Sequence, residues 1–233
     1  MGVFSMKFLR HEHGRLLKTE SHIVFWGGRS SSFENLKSSF PELNLRRIHQ
    51  VHGDHIIDQT GGGSDTPKAD AHLTRNPSEA LVISTADCIP LMIACLDSDW
   101  IGAIHAGWRG VEARIVPKTL EALTRRQGSL LQIQIWIGPH IRLRSFEVQE
   151  DVAQRLEASA PKADPNRIRH PSINSDRVLI DLNLLVRAQL EEFGIGANRI
   201  HDIAIDTVPD NEFHSHRRDR DQAGRNLSFI ARV

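Results

Sequence analysis

The chain has 233 residues, 39% of them hydrophobic and 25% charged, enough apolar material to bury a core without staples. Its 29 Lys plus Arg balance its 29 Asp plus Glu, which argues against a protein whose main partner is nucleic acid. Two cysteines, Cys88 and Cys95, are too few for a disulfide framework and suit a reducing compartment. The expectation is one domain over 1–233, cytoplasmic, monomeric or homodimeric, without a membrane partner. Met1 to Leu17 carries scattered charge and no signal-like apolar run, and Met6 breaks the myristoylation pattern. No stretch approaches the roughly 18 apolar residues of a membrane span.

Taken in chain order, the patch from Arg29 to Phe33 and the run Gly61-Gly62-Gly63-Ser64 read as loops. Short apolar runs follow at Ala80 to Ser84, Leu91 to Leu96, Ile101 to His105 and Ile133 to Ile137. Each is too short for a helix and is bounded by turn residues, so buried strands are predicted. Between them, Val111, Ile115, Val116, Leu120 and Leu123 share one helical face, with Pro117 as a kink or a start. A weaker helix is expected from Val148 to Ala158. Leu182, Leu185, Val186, Leu190 and Phe193 form another stripe, with Asp181 as N-cap and Gly194 as stop. An α/β or α+β domain with a large mixed sheet flanked by helices fits this order.

Among thirteen histidines, two stand out by setting. His52, in Gln50-Val51-His52-Gly53, sits at the end of a probable strand beside a glycine. His105 sits where a strand runs into the small-residue turn Ala106-Gly107 and then a helix. Rigid strand ends of this kind present functional groups and let backbone come close. Cys88, in Thr85-Ala86-Asp87-Cys88, also follows an apolar strand. Two imidazoles and a thiolate are three of the four positions of a tetrahedral zinc site, and an open fourth position separates a catalytic from a structural ion. Spacing alone leaves this weak, because free Cys is usually a buried small hydrophobe.

The strings QVHG (50–53), KADAHLT (68–74), STADCIPL (84–91), AIHAGWRG (103–110), IGPHI (137–141), FEV (146–148), HRRD (216–219) and GRNLS (224–228) follow one another in order. Together they resemble the YfiH/YlmD family, also labelled laccase-domain or multicopper polyphenol oxidase proteins, over about residues 48–230. The resemblance implies an α/β fold with a mixed-sheet core and zinc bound by His52, Cys88 and His105, with copper as an alternative metal. It implies purine nucleosides and phosphate as reactants, in phosphorolysis of adenosine, inosine and methylthioadenosine and in deamination of adenosine. Three departures mark this chain. The region up to about residue 47 is abbreviated, with Gly27-Gly28-Arg29-Ser30 where relatives carry TRxGGVS; His216 replaces a tyrosine; and Asp206-Thr207 stands where a Cys-Thr pair is usual.

Other residues carry two readings each. Asp87 is a catalytic proton carrier or a partner orienting the metal ligands; equally it is a turn carboxylate bonding nearby amides. Arg109 binds a phosphate or substrate oxygen, or pairs with a carboxylate to fix its loop. Arg217 and Arg218, beside His214 and His216, form a phosphate-recognising cluster or a solvated loop. Glu147 contacts the site or serves a helix N-terminus. Cys95, Trp26, Trp100 and Trp136 are read as core, His11 and His13 as exposed, and Trp108 as a test case for purine stacking. Two further functions are weighed. A phenol-oxidising copper laccase needs many His-x-His pairs, and only His11-Glu12-His13 and His214-Ser215-His216 occur. An amidase acting on peptidoglycan precursors would use the same metal site.

Overall fold

A computed structural model describes residues 8–60 and 66–233. The expected Gly61–Ser64 loop and the myristoylation position Met6 lie outside the described residues. The strands in chain order are β1 (Phe8–His11), β2 (Gly14–Lys18), β3 (His22–Gly27), β4 (Asn44–Arg46), β5 (Ile56–Asp58), β6 (Ala71–Thr74), β7 (Glu79–Thr85) and β8 (Ile89–Cys95). They continue as β9 (Ile101–Ala106), β10 (Ile133–Ile137), β11 (Glu147–Gln149), β12 (Arg169–Pro171), β13 (Arg177–Ile180), β14 (Ile200–Asp202) and β15 (Asn226–Arg232). The helices are α1 (Phe33–Ser39), α2 (Trp108–Glu112), α3 (Ile115–Gln127), α4 (Glu150–Ala158), α5 (Pro165–Ile168), α6 (Leu182–Glu191) and α7 (His216–Asp219).

Two six-stranded mixed sheets, in the orders β1-β2-β3-β15-β7-β4 and β14-β10-β8-β9-β6-β5, pack face to face. Alternation along each strand explains the layering. In β3, Val24 and Trp26 enter the inter-sheet core while Ile23 and Phe25 face α1. In β8, Met92 and Ala94 enter that same core, whereas Leu91 and Ile93 face α2, α3 and α6. Because helices cover the outer faces, the central strands are buried on both sides. That is why they read as continuous apolar runs although most of their pairings are antiparallel. Burying each Leu, Ile or Phe there contributes about 1.5–3 kcal/mol.

The helices follow the sequence with corrections. Asp181 caps α6, accepting from the N–H of Leu184, and Gly194 takes the left-handed φ of +70° just beyond its end. The stripe from Val111 to Leu123 is two helices rather than one. Arg114 adopts φ 63° between them, held by hydrogen bonds to the Ser159 carbonyl and the Glu192 carboxylate, and Pro117 lies in the first turn of α3. Helix α4 begins at Glu150, since Val148 belongs to β11. Ser32 caps an unforeseen helix, α1, that starts at Phe33. His11 and His13 are half-buried rather than exposed, and the His11 ring stacks on Phe40. Trp26, Trp100, Trp136 and Cys95 are core, as expected, and burial pushes the Cys95 thiol up to about 11. Among the described residues, no helix is long and apolar enough to cross a membrane.

Candidate metal centre

Three loops meet where the sheets' strand ends converge beside α2. His52 lies on a loop rather than on a strand end; only an isolated bridge, His49 with Lys68, precedes it. Gln50 pins that loop to β7, its amide donating to the Ser84 carbonyl at 2.7 Å and accepting from the Ser84 N–H at 2.8 Å. Cys88 occupies the turn between β7 and β8. His105 is the penultimate residue of β9, opposite Pro90.

The donor atoms of His52, Cys88 and His105 lie within 4.8 Å of one another, the one such His/Cys/Asp/Glu group of this kind among the described residues. Gly107 closes against all three. A Cβ there would sit 3.0 Å from Cys88 Sγ, 3.3 Å from His52 Cδ2 and 3.8 Å from His105 Cε1. His105 is 2% exposed, Cys88 half-buried and His52 exposed, so the site has a sealed side and an open one. Burial raises the Cys88 thiol, but the charge of His105 and hydrogen bonds from both imidazoles outweigh it and bring the thiol down to about 6. Burial likewise opposes charge on His105, yet the Cys88 thiolate and the Asp70 carboxylate lift it to about 9. The two groups support each other's charge, and the direction of both shifts favours the thiolate, the form of sulfur that binds metal.

Asp70 is the residue that sequence reasoning missed. Fully buried, it accepts from His105 Nδ1 at 2.8 Å, and its own carbonyl accepts the His105 N–H at 2.7 Å. Its carboxylate also accepts the N–H groups of Val51, His52 and Gly53 at 3.2, 2.9 and 2.7 Å. The available signal was a lone carboxylate in the apolar string Ala69-Asp70-Ala71, immediately before a strand.

Asp87 anchors rather than lies free. Its oxygens accept Thr207 Oγ1 and the Arg217 N–H, each at 2.6 Å, which ties the Cys88 turn to the 207 segment and to α7. Asp206 in turn accepts from Ser145, so Asp206-Thr207 braces this side of the site. Arg109 is exposed, stacks 4.3 Å over Trp108 and has no carboxylate partner among the described residues. Arg217 donates to the carbonyls of Ser145 and Glu147 at 3.1 Å. Arg218, placed by sequence in a phosphate cluster, lies outside the cavity lining. It donates to the carbonyls of Thr207, Val208, Asp210 and Phe213 and pairs with Asp219. Glu147 begins β11, not a helix, and bonds Ser172 and Asn174.

A cavity of about 700 Å³ opens over the three donors. Trp108, Ile141, Phe146, Val148, Val152 and Leu182 make its apolar wall. Arg47, Arg109, Arg217 and Arg225 bring positive charge; His49 and His216 also line it, with Asp87 as the single carboxylate among the described lining residues. Such a cleft can hold a flat apolar group against one side and an anion against the other.

Residues 31–233 match the family model described as multi-copper polyphenol oxidoreductase laccase. The chain is 32% identical over 206 residues to purine nucleoside phosphorylase YfiH of Escherichia coli, covering 84% of this chain and 79% of that protein. It is 37% identical over 163 residues to a purine nucleoside phosphorylase of Bacteroides thetaiotaomicron, covering 69% and 60%. Its fold superposes on YlmD of Geobacillus stearothermophilus with a TM-score of 0.84 at 23% identity, over 97% of this chain and 99% of that one. The same TM-score relates it to a Bacillus licheniformis protein titled YfiH, at 24% identity, over 96% and 98%.

Proposed function

The chain belongs to the multi-copper polyphenol oxidoreductase laccase family, and on that footing we propose that it cleaves purine nucleosides with phosphate, using zinc held by His52, Cys88 and His105. One observation carries the reading: these three donors converge beneath a cavity with four arginines in its lining. The names of the relatives supply the substrate class. Two imidazoles and a thiolate suit zinc, and copper(II) is the alternative guest. The space kept by Gly107 and the thiolate state of Cys88 both fit such an ion. Bound there, a divalent ion supplies Lewis acidity toward an oxygen of the reactants.

Phosphorolysis breaks the bond between the purine nitrogen and the anomeric carbon and joins a phosphate oxygen to that carbon. The purine departs with the electron pair and takes up a proton. Arg109, with no carboxylate partner among the described residues, offers the forked donors that hold orthophosphate for attack, and Arg217, held by the Ser145 and Glu147 carbonyls, adds positive charge beside it. The wall of Ile141, Phe146 and Val148 shelters the base from water. Asp87, although anchored by Thr207 and Arg217, keeps acceptor capacity on both oxygens, and with His49 and His216 it is a candidate for protonating the leaving purine. The proposed substrates are adenosine, inosine and methylthioadenosine, with adenosine deamination as a second reaction of the same pocket.

A phenol-oxidising laccase is disfavoured because it needs a type 1 copper and a separate trinuclear cluster, hence many more histidines. The two His-x-His pairs do not supply them. His11 packs on Phe25 and Phe40, and Gly224 donates its N–H to the His214 ring.

The test is to incubate zinc-loaded and copper-loaded protein with each nucleoside, with and without phosphate, and to chromatograph the products. Free base with ribose 1-phosphate, or 5-methylthioribose 1-phosphate from methylthioadenosine, is expected only with phosphate, and Cys88→Ala should abolish both products while keeping its circular dichroism. No base release from any of the three nucleosides would refute the proposal.

A further inference from the structure

His52 is an exposed side chain on a loop with a left-handed φ of 59°, a conformation a non-glycine residue keeps only when its surroundings impose it. What imposes it is the succession of N–H groups at Val51, His52 and Gly53, which close on the Asp70 carboxylate. Consecutive backbone N–H groups wrapped around an anion form a nest, here filled by the protein's own side chain. We propose that Asp70 is the positioning residue of the metal centre, locking the His52 loop and the His105 ring to one buried carboxylate. This rests on the metal reading of His52, Cys88 and His105.

The stoichiometry of hydrogen bonds fixes the kind of role. Oδ1 accepts from the His52 N–H and from His105 Nδ1, while Oδ2 accepts from Gly53 and Val51, four donors on the roughly four lone-pair sites of a carboxylate. Asp70 has no lone pair left for an ion or a substrate, so it acts through its neighbours. Its acceptance from Nδ1 keeps the proton of a neutral His105 on that atom and leaves the lone pair of Nε2 free to bind metal. The nest fixes where the His52 ring starts from. Cys88 is placed independently, through Asp87.

Asp70→Asn keeps the shape but presents an NH2 where an oxygen stood. On one side that group meets two backbone N–H donors. On the other it meets the His52 N–H and forces His105 to accept at Nδ1, which moves the ring proton to Nε2 and blocks that atom as a ligand. The measurement is zinc affinity by chelator competition on the full chain. Relative to wild type, Asp70→Asn is expected to bind about 10–100-fold more weakly, with nitrogen NMR of the metal-free protein, at a pH where His105 is neutral, showing its proton shifted to Nε2. A merely structural residue would not move that tautomer. Asp70→Ala opens the nest, and added formate should restore most of its zinc affinity while leaving wild type unchanged. Should both variants fail to fold, hydrogen exchange on the metal-free wild type decides: the amides of Val51, His52 and Gly53 must be protected. Wild type that binds neither zinc nor copper overturns the metal reading. Wild type that binds zinc while Asp70→Asn binds equally well with its tautomer unchanged, or unprotected amides at 51–53, overturns the role of Asp70 alone.

Discussion

Replacing Gly107 by alanine separates the metal centre from the stability of the fold. The added Cβ would lie 3.0 Å from Cys88 Sγ and 3.3 Å from His52 Cδ2. Comfortable contacts between such atoms begin near about 3.5 Å, so the sulfur must retreat by about half an ångström and the imidazole by a few tenths. Metal ligands are held to within about 0.2 Å, so both displacements exceed what the site tolerates. The backbone has no objection: Gly107 has φ −71° and ψ 164°, which alanine adopts freely. As N-cap of α2 it loses about 0.5–1 kcal/mol on becoming alanine, and the less flexible unfolded chain returns about 0.4–1 kcal/mol. Gly107→Ala should therefore melt close to wild type without metal yet bind zinc about 10–100-fold more weakly, about 1.4–2.7 kcal/mol. Chelator competition and a melt of the metal-free protein measure the two quantities. Unchanged zinc affinity would refute joint binding by these three residues.

Arg109→Ala should leave stability within about 0.5 kcal/mol and raise KM for phosphate several-fold, whereas Arg218→Ala should cost about 2 kcal/mol or more with KM unchanged. Urea titrations and phosphate-dependence curves distinguish them. Asp87→Asn loses part of an anchor and should destabilise by about 1–2 kcal/mol, with turnover retained and the pH–rate profile unshifted. A lost profile limb would make Asp87 a proton carrier instead. Burial holds neutral His140 down at about 4, below its ordinary 6.5. The unfolded chain thus binds the extra proton first, and stability must fall as pH drops from about 6.5 toward 4. At about 1.4 kcal/mol per pH unit, His140→Gln should remove about 2–3 kcal/mol of the acid loss seen by urea unfolding between pH 7.5 and 4.5.

Strands β7, β8, β9 and β10 were legible because burial on both faces leaves an unbroken apolar run, and α6 because its cap, stripe and glycine are all local. The break between α2 and α3 was not, since Arg114 is held in its left-handed conformation by Ser159 and Glu192, partners far along the chain. The three candidate ligands were visible as residue types beside turns, and family motifs singled out two of thirteen histidines and one of two cysteines. Asp70 stayed hidden for a physical reason: its meaning lies in N–H groups 17 to 19 residues before it and a ring 35 residues after it. Arg218 was legible only as charge. A basic run shows charge but not whether its donors face an open cleft or neighbouring carbonyls.

The last strand, β15, lies in the middle of its sheet, between β3 and β7, with Ser228 opposite Trp26 on one side and Ile83 on the other. A growing chain on the ribosome holds both flanking strands long before it has the segment that joins them. Closing that gap pairs residues about 200 positions apart, the kind of contact whose loop entropy slows folding. Until it closes, β3 and β7 expose bare, apolar edges that attract other chains. A chain cut just before Asn226 would leave both of these edges open and is expected to aggregate rather than to fold with reduced stability.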